Sequence, residues 1–164
     1  MNDVNSAGIT AVRLDERLIH GQVAAVWTRT MQITRIMVVD DEIIHDEIGK
    51  IALKSAVPIG IKLSILSVES AAKKILEGQY AGQRVLIVVN KPSTISRLLN
   101  SGVFLSEVNI GNMGMKEGRK AIKKSVYCTE KEIEEILKIE EHGTKVYAQM
   151  VPNEEKKIFK SFLE

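Results

Sequence analysis

The sequence predicts an α/β domain of three layers, α/β/α, with a mostly parallel central sheet of about six to seven strands and helices on both faces. Three observations carry this expectation. Short runs rich in Val, Ile and Leu alternate with segments of helical period from Ile9 onward, the pattern of consecutive βαβ units. The run Arg84 to Val89, RVLIVV, is apolar without alternation, as a strand buried on both faces must be. The chain has 164 residues, 45% of them hydrophobic, which is enough for one sizeable core without metals or disulfides.

Taken in order, Met1 to Gly8 reads as a flexible polar tail, and residues 9–164 as a single domain. Ile9 to Leu14 is the first strand. His20 to Met31 is a helix, with Val23, Val26, Trp27 and Met31 at the spacing of one face. Ile33 to Val39 is the second strand. Asp41 to Ala56 is a helix opened by acidic residues, which suit the positive end of its dipole, and Pro58 and Gly60 break it. Ile61 to Ser67 is the third strand and Val68 to Gly78 the third helix, closed by its glycine. After the Arg84 to Val89 strand, Pro92 opens a helix that runs to Asn100. Leu105 to Ile110 is the fifth strand, and Ser125 to Cys128 is a short candidate for a sixth. Thr129 to Glu141 is a helix, with Thr129 and Glu132 spaced as a capping box. Lys145 to Val151 is the last strand and Glu154 to Phe162 the last helix.

Composition narrows the function classes. The 23 basic and 21 acidic residues leave a formal charge of +2, too little for an extended nucleic-acid surface. Cys128 is the single cysteine, which excludes an internal disulfide and fits a reducing compartment. The stretch MNDVNSAG has neither the basic nor the apolar region of a signal peptide, and no apolar run reaches the length of a membrane span. A soluble cytoplasmic protein is expected, free to dock peripherally on a membrane complex.

Chemistry in parallel sheets gathers beyond the carboxyl ends of the strands. That rule selects the loops Asp15 to Ile19, Asp40 to Glu42, Asn90 to Pro92 and Gly111 to Gly118. Strand order, and so which loops are neighbours, stays open. The first loop carries the densest chemistry: Arg13, Asp15, Glu16, Arg17 and His20 within eight positions. A helix N-terminus offers free backbone N–H groups and a partial positive charge, so it attracts phosphate. An imidazole with a free ring lone pair is a nucleophile. Arg17 can turn its guanidinium fork toward phosphate oxygens, Gly21 admits a bulky partner close to the backbone, and Asp15 can hold Arg17 or a ring nitrogen in place. No Walker loop and no G-x-G-x-x-G occurs, so a phosphoryl group would come from another protein rather than from ATP. No cofactor is called for. His45 and His142 lack ligand-spaced partners, so no metal site is expected.

The segment Arg13 to Val23, R-L-D-E-R-L-I-H-G-Q-V, resembles the R-[IV]-D-x-R-L-[IL]-H-G-Q-V segment of the IIB proteins of the mannose-family sugar phosphotransferase system. The likeness continues in Trp27-Thr28, in Ile36 to Glu42, in Tyr80-Ala81-Gly82 with Arg84-Val85, in Asn90 and Pro92, and in Val108 to Gly111. It spans the chain from Ile9 onward. The resemblance implies a phosphotransferase subunit. His20 would take a phosphoryl group on Nδ1 from a phosphohistidine of a IIA partner and pass it to a sugar held by membrane IIC and IID subunits, with Arg17 steadying the phosphoryl group. Many members read N-[VI]-G-G-M after the fifth strand, whereas this chain reads Asn109-Ile110-Gly111-Asn112-Met113, so Asn112 stands where a second glycine is usual. Asn tolerates a left-handed backbone better than most residues.

The expected site therefore comprises His20, Arg17 and Asp15. Arg13, Gly21, Gln22, Asp41, Gly111, Asn112 and Met113 are candidates for binding phosphate or partner, and Lys116 and Arg119 for a basic rim. Plainer roles compete. Arg13 can be purely structural, Arg17 can form a surface ion pair with Asp15 or Glu16, and Asp41 can be the N-cap of the second helix. Trp27 suits core packing, and Cys128 a buried, inert thiol. Self-association is left open. The rival function is a regulatory binding domain of the same fold that transfers nothing, and such a domain would tolerate replacement of His20.

Overall fold

The computed structural model describes residues 7–164. Its centre is a seven-stranded sheet in the order β3-β2-β4-β1-β5-β8-β9. The strands are β1 (Ile9–Asp15), β2 (Arg35–Val39), β3 (Lys62–Leu66), β4 (Val85–Val89), β5 (Glu107–Asn112), β8 (Lys145–Ala148) and β9 (Lys157–Ile158). All pair in parallel except β9, which runs antiparallel to β8. The helices are α1 (Gly21–Thr30), α2 (Glu47–Ala56), α3 (Val68–Leu76), α4 (Pro92–Asn100) and α5 (Glu130–Glu140). The three-layer α/β/α architecture read from the sequence is the one observed.

Strand β4 shows why its sequence does not alternate. Val85, Ile87 and Val89 face a core built with Ala71 and Ile75 of α3, Ile95 and Leu98 of α4, and Ile136 and Ile139 of α5. Leu86 and Val88 face a smaller core shared with Ile36, Val38, Ala24 of α1 and Leu53 of α2. Both sides are covered, so every position is apolar.

The chain leaves β1 and β2 toward the α1/α2 layer, and β3 and β4 toward the opposite layer. Since β4 lies between β2 and β1, adjacent strands send their connections to opposite faces, which opens a crevice at their carboxyl ends. Register places Val38 beside Val88, Leu14 beside Val89, and Asp15 beside Asn112. The four loops singled out in the sequence thus sit on four adjacent strands at one edge.

Several elements differ from expectation. Asp41 to Ala56 is not one helix. A 3₁₀ turn (Ile43–His45) comes first, and Asp46 then caps α2 by accepting from Gly49 N at 2.9 Å. The face of α1 is turned: Ala24, Trp27 and Thr28 are buried, while Val26 is exposed. Ser125 to Cys128 does not join the main sheet. Strand β7 (Val126–Cys128) pairs antiparallel with β6 (Lys120–Lys123), a strand masked in the sequence by its charges. The expected last helix, Glu154 to Phe162, is instead β9 followed by a 3₁₀ turn (Phe159–Phe162). Its four leading charged residues offer no apolar stripe, and fully buried Phe159 anchors the segment. Of the expected tail, residues 1–6 lie outside the described residues. Ala7 packs against the larger core, and the Gly8 carbonyl accepts from Val85 N at 2.8 Å. Gly8 has φ +89°, and a side chain there would overlap the Tyr80 carbonyl.

Candidate functional site

The turn Asp15 to His20 links β1 to α1. Leu18 N donates to the Asp15 carbonyl at 2.9 Å, and Leu18, though not glycine, adopts φ +59° while buried. That left-handed residue reverses the chain and delivers His20 as the N-cap of α1, exposed and with no side-chain capping bond. The Ala24 N–H returns to the His20 carbonyl, so the N–H groups of Gly21, Gln22 and Val23 open the helix without intrahelical partners. No acidic residue stands in that first turn. Gly21 and Gln22 are both exposed, and nothing lies within 4 Å of a Cβ added at Gly21.

Asp15 organises the charges. It is 1% exposed, and its carboxylate accepts from Arg17 N at 2.9 Å, Arg17 Nε at 3.0 Å, Arg17 Nη2 at 2.9 Å and Arg13 Nη2 at 3.3 Å. Arg17 is held by backbone and fork together, leaving Nη1 as the donor not used by Asp15. The Asp15 hydrogen bond also pushes the Arg17 pKa upward. Asp15 therefore orients Arg17, and its hydrogen bonds run to the two arginines rather than to His20.

Arg13 is no surface group. Its side chain is 5% exposed, its Nη1 donates to the Gln149 carbonyl at 3.2 Å, and its guanidinium lies 5.6 Å from the Trp27 ring centroid. Burial lowers its pKa, and Asp15 opposes that shift. Trp27 Nε1 donates to the Met150 carbonyl at 2.9 Å, so the loop after β8 is tied to the site from beneath. Gly111 makes room for Arg13, because a Cβ at that position would overlap the guanidinium.

The remaining candidates separate. Asn112 continues β5 without a left-handed backbone, and its carbonyl accepts from Glu16 N at 3.2 Å. The usual glycine is therefore not required there. Met113 is fully buried, 3.7 Å from Cys128 Sγ, and belongs to the core. Burial pushes the Cys128 thiol up to about 12, leaving it inert. Asp41 caps a different helix from the one expected: it accepts from Val68 N at 2.9 Å and pairs with Arg97. The Val68 N–H, then Arg97, hold its carboxyl below the usual range. His45 and His142 are exposed.

Sequence reasoning missed the clamp beside this turn. Arg119, 6% exposed, donates to Glu16 Oε2 at 2.6 Å and to Glu132 Oε2 at 2.7 Å. Glu16 also accepts from Gly114 N at 2.7 Å, which fixes the loop after β5 to the Asp15 turn. Burial works to raise both carboxyls, but hydrogen bonds led by Arg119 outweigh it and hold both low. Only the capping-box half of this network was readable. The Glu16–Arg119 contact joins residues 103 apart. With the side chains of Arg13 and Arg119 both covered, the expected basic rim reduces to Arg17 and Lys116.

The cavity that His20 lines with Asp15, Leu18 and Val23 measures about 10 Å³, too small for a sugar. Among the described residues, no three His, Cys, Asp or Glu side chains are grouped to hold a metal, and no helix is long and apolar enough to cross a membrane.

The fold and site define an α/β domain that presents an exposed imidazole at a helix start, with an oriented arginine three residues before it. The family model described as PTS system sorbose subfamily IIB component matches residues 9–164, and the chain belongs to that family, the IIB components of sugar phosphotransferase systems. The mannose-specific EIIAB component of Escherichia coli (strain K12) is 33% identical over 155 residues, covering 94% of this chain and 47% of that protein. The chain thus spans about half the length of that relative. The fructose-specific EIIB component of Bacillus subtilis (strain 168) is 33% identical over 155 residues, covering 94% of this chain and 95% of that one. The crystal structure of the IIBSor domain of the sorbose permease from Klebsiella pneumoniae superposes with a TM-score of 0.89 at 28% identity, covering 94% of this chain and 95% of that one.

Proposed function

We propose that this chain is a phosphocarrier and transferase in which His20 receives a phosphoryl group from a phosphohistidine of a IIA protein. His20 then passes it to a sugar presented by membrane IIC and IID subunits. The observation that carries this reading is the exposed His20 at the open start of α1, three residues after an Arg17 clamped by buried Asp15. The shallow site fits as well: with no cavity for a sugar around His20, both donor and acceptor arrive on other macromolecules.

In the first step the Nδ1 lone pair of His20 attacks phosphorus as the P–N bond to the donor histidine breaks. Each ring keeps its own N–H, so no proton need move. In the second step a sugar hydroxyl oxygen attacks phosphorus, the P–N bond to His20 breaks, and the hydroxyl proton passes to solvent or to the freed ring nitrogen. Such transfers need in-line positioning and charge stabilisation rather than covalent chemistry from the protein. Arg17 and the N–H groups opening α1 supply the charge stabilisation, with Gly21 and Gln22 at the point of partner approach. No nucleotide or metal enters either step. Residues 9–164 act as one unit, cytoplasmic and peripheral to the transporter. The acceptor is a hexose or N-acetylhexosamine. Relatives at the same 33% identity are named for mannose and for fructose, so overall similarity does not select the sugar.

The test reconstitutes phosphoenolpyruvate, enzyme I, HPr, a matching IIA and membranes holding IIC and IID, and measures sugar phosphate. The chain restores product, His20→Ala abolishes it, and Arg17→Ala lowers the rate by about 10²-fold, the usual loss for a charge-stabilising donor. Full product with His20→Ala overturns the reading, and no product from the wild-type chain favours the regulatory binder.

A further inference from the structure

We propose that Arg13, buried beneath α1, is a positioning residue that sets the charge and aim of Arg17 through Asp15. The inference rests on the phosphocarrier reading above and deepens it.

A carboxylate that grips a phosphate-binding arginine carries a drawback: it cancels the charge it positions. Asp15 takes three donors from Arg17, so the pair alone would offer an incoming phosphoryl dianion almost no net charge. Arg13 removes that drawback. Its Nη2 shares Asp15 Oδ2 with Arg17 Nη2, and two guanidiniums against one carboxylate leave one net positive charge on the triad. Because Arg13 is the buried member, the surplus is expressed at Arg17, the exposed one.

Stability alone does not account for Arg13. A buried ion pair is often no better than an apolar side chain of the same volume. Even so, this fold makes a dedicated seat for the guanidinium: a glycine at 111 leaves its space, the Trp27 ring faces it, and the Gln149 carbonyl accepts from Nη1. Those fixtures also lock the Asp15 carboxylate, and with it the orientation of the Arg17 fork.

The experiment is a double-mutant cycle on transfer from phosphorylated IIA to His20, read by rapid quench, with folding of each variant checked by circular dichroism. Arg13→Met slows transfer about tenfold, less than the about 10²-fold loss on removing Arg17 itself, because Arg13 acts only through Arg17. Arg13→Lys, which keeps the charge but not the two-pronged contact to Asp15 and Gln149, recovers part of the rate and is faster than Arg13→Met. In the Arg17→Ala background Arg13→Met costs little more, because its effect runs through Arg17. If Arg13→Met does not fold, Arg13→Gln completes the same cycle. Equal slowing in both backgrounds, or an Arg13→Lys variant as slow as Arg13→Met, overturns the inference. If the wild-type chain itself takes no phosphoryl group on His20, the phosphocarrier reading falls with it; a labelled wild type with an additive cycle sinks only the role of Arg13.

Discussion

Substituting Gly111 tests how tightly the site is built from below. An alanine methyl at 111 would land on Cζ and both terminal nitrogens of Arg13. That guanidinium has nowhere to go: its side chain is 5% exposed, with Asp15 Oδ2 at 3.3 Å, the Gln149 carbonyl at 3.2 Å and the Trp27 ring beside it. If β5 yields, the cost is that of overpacking, about 1–3 kcal/mol. If Arg13 is expelled, a buried pair is broken at about 3–5 kcal/mol. A central figure of about 3 kcal/mol lowers Tm by about 6–12 °C in a chain of this size. Gly114→Ala is the matched control. Its nearest contact is Glu16 Oε1 at 3.7 Å, an ordinary separation, and the change should stay within about 0.5 kcal/mol. Thermal unfolding followed by circular dichroism, with a urea midpoint as a second measure, compares the two. A Gly111→Ala protein that melts within about 2 °C of wild type would refute the claim that Arg13 is locked in place.

Further outcomes follow from the same structure. Arg119→Met strips Glu16 and Glu132 of their shared partner and costs about 3 kcal/mol at neutral pH. Both carboxyls are held below their ordinary values in the folded state, so the stability they contribute is present above the unfolded carboxyl range and is lost as pH falls through the folded values. The Tm gap between wild type and Arg119→Met is therefore largest near neutrality and closes below about pH 4, and a gap constant with pH contradicts the clamp. Thr129→Ala removes one arm of the capping box on α5 and costs about 1 kcal/mol by urea unfolding. Trp27→Phe keeps the ring but drops the bond to the Met150 carbonyl; hydrogen exchange at residues 150–154 should rise, and unchanged exchange would show that this loop is held by other contacts.

The sheet and most of its helices were legible because the apolar period is strong. Strand β4 announced itself by continuous burial, and α4 and α5 by Pro92 and by the Thr129–Glu132 pair. What escaped depended on distant partners. Strands β6 and β9 carry Lys at half of their positions, and only pairing makes them strands. Asp41 resembles an N-cap of the next helix, but tertiary packing turns it to Val68, 27 residues on. At the site, the His20 position at the helix start and the Asp15–Arg17 pair followed from local spacing. The inward fate of Arg13 did not, because a charged residue in a strand reads as exposed until Gly111 and Gln149 are brought beside it. The gap left by glycine at 111 is a packing signal, and alternation along one strand carries no trace of it.

The most direct measurement on the central claim is to phosphorylate the purified chain with phosphoenolpyruvate, enzyme I, HPr and IIA, and to map the phosphate by mass spectrometry at neutral to alkaline pH, where phosphohistidine survives. The phosphocarrier reading predicts a single label on His20, absent in a folded His20→Ala variant whose Tm is within about 2 °C of wild type, as befits an exposed side chain. A label on another residue, or none from a IIA shown to be charged, would contradict it.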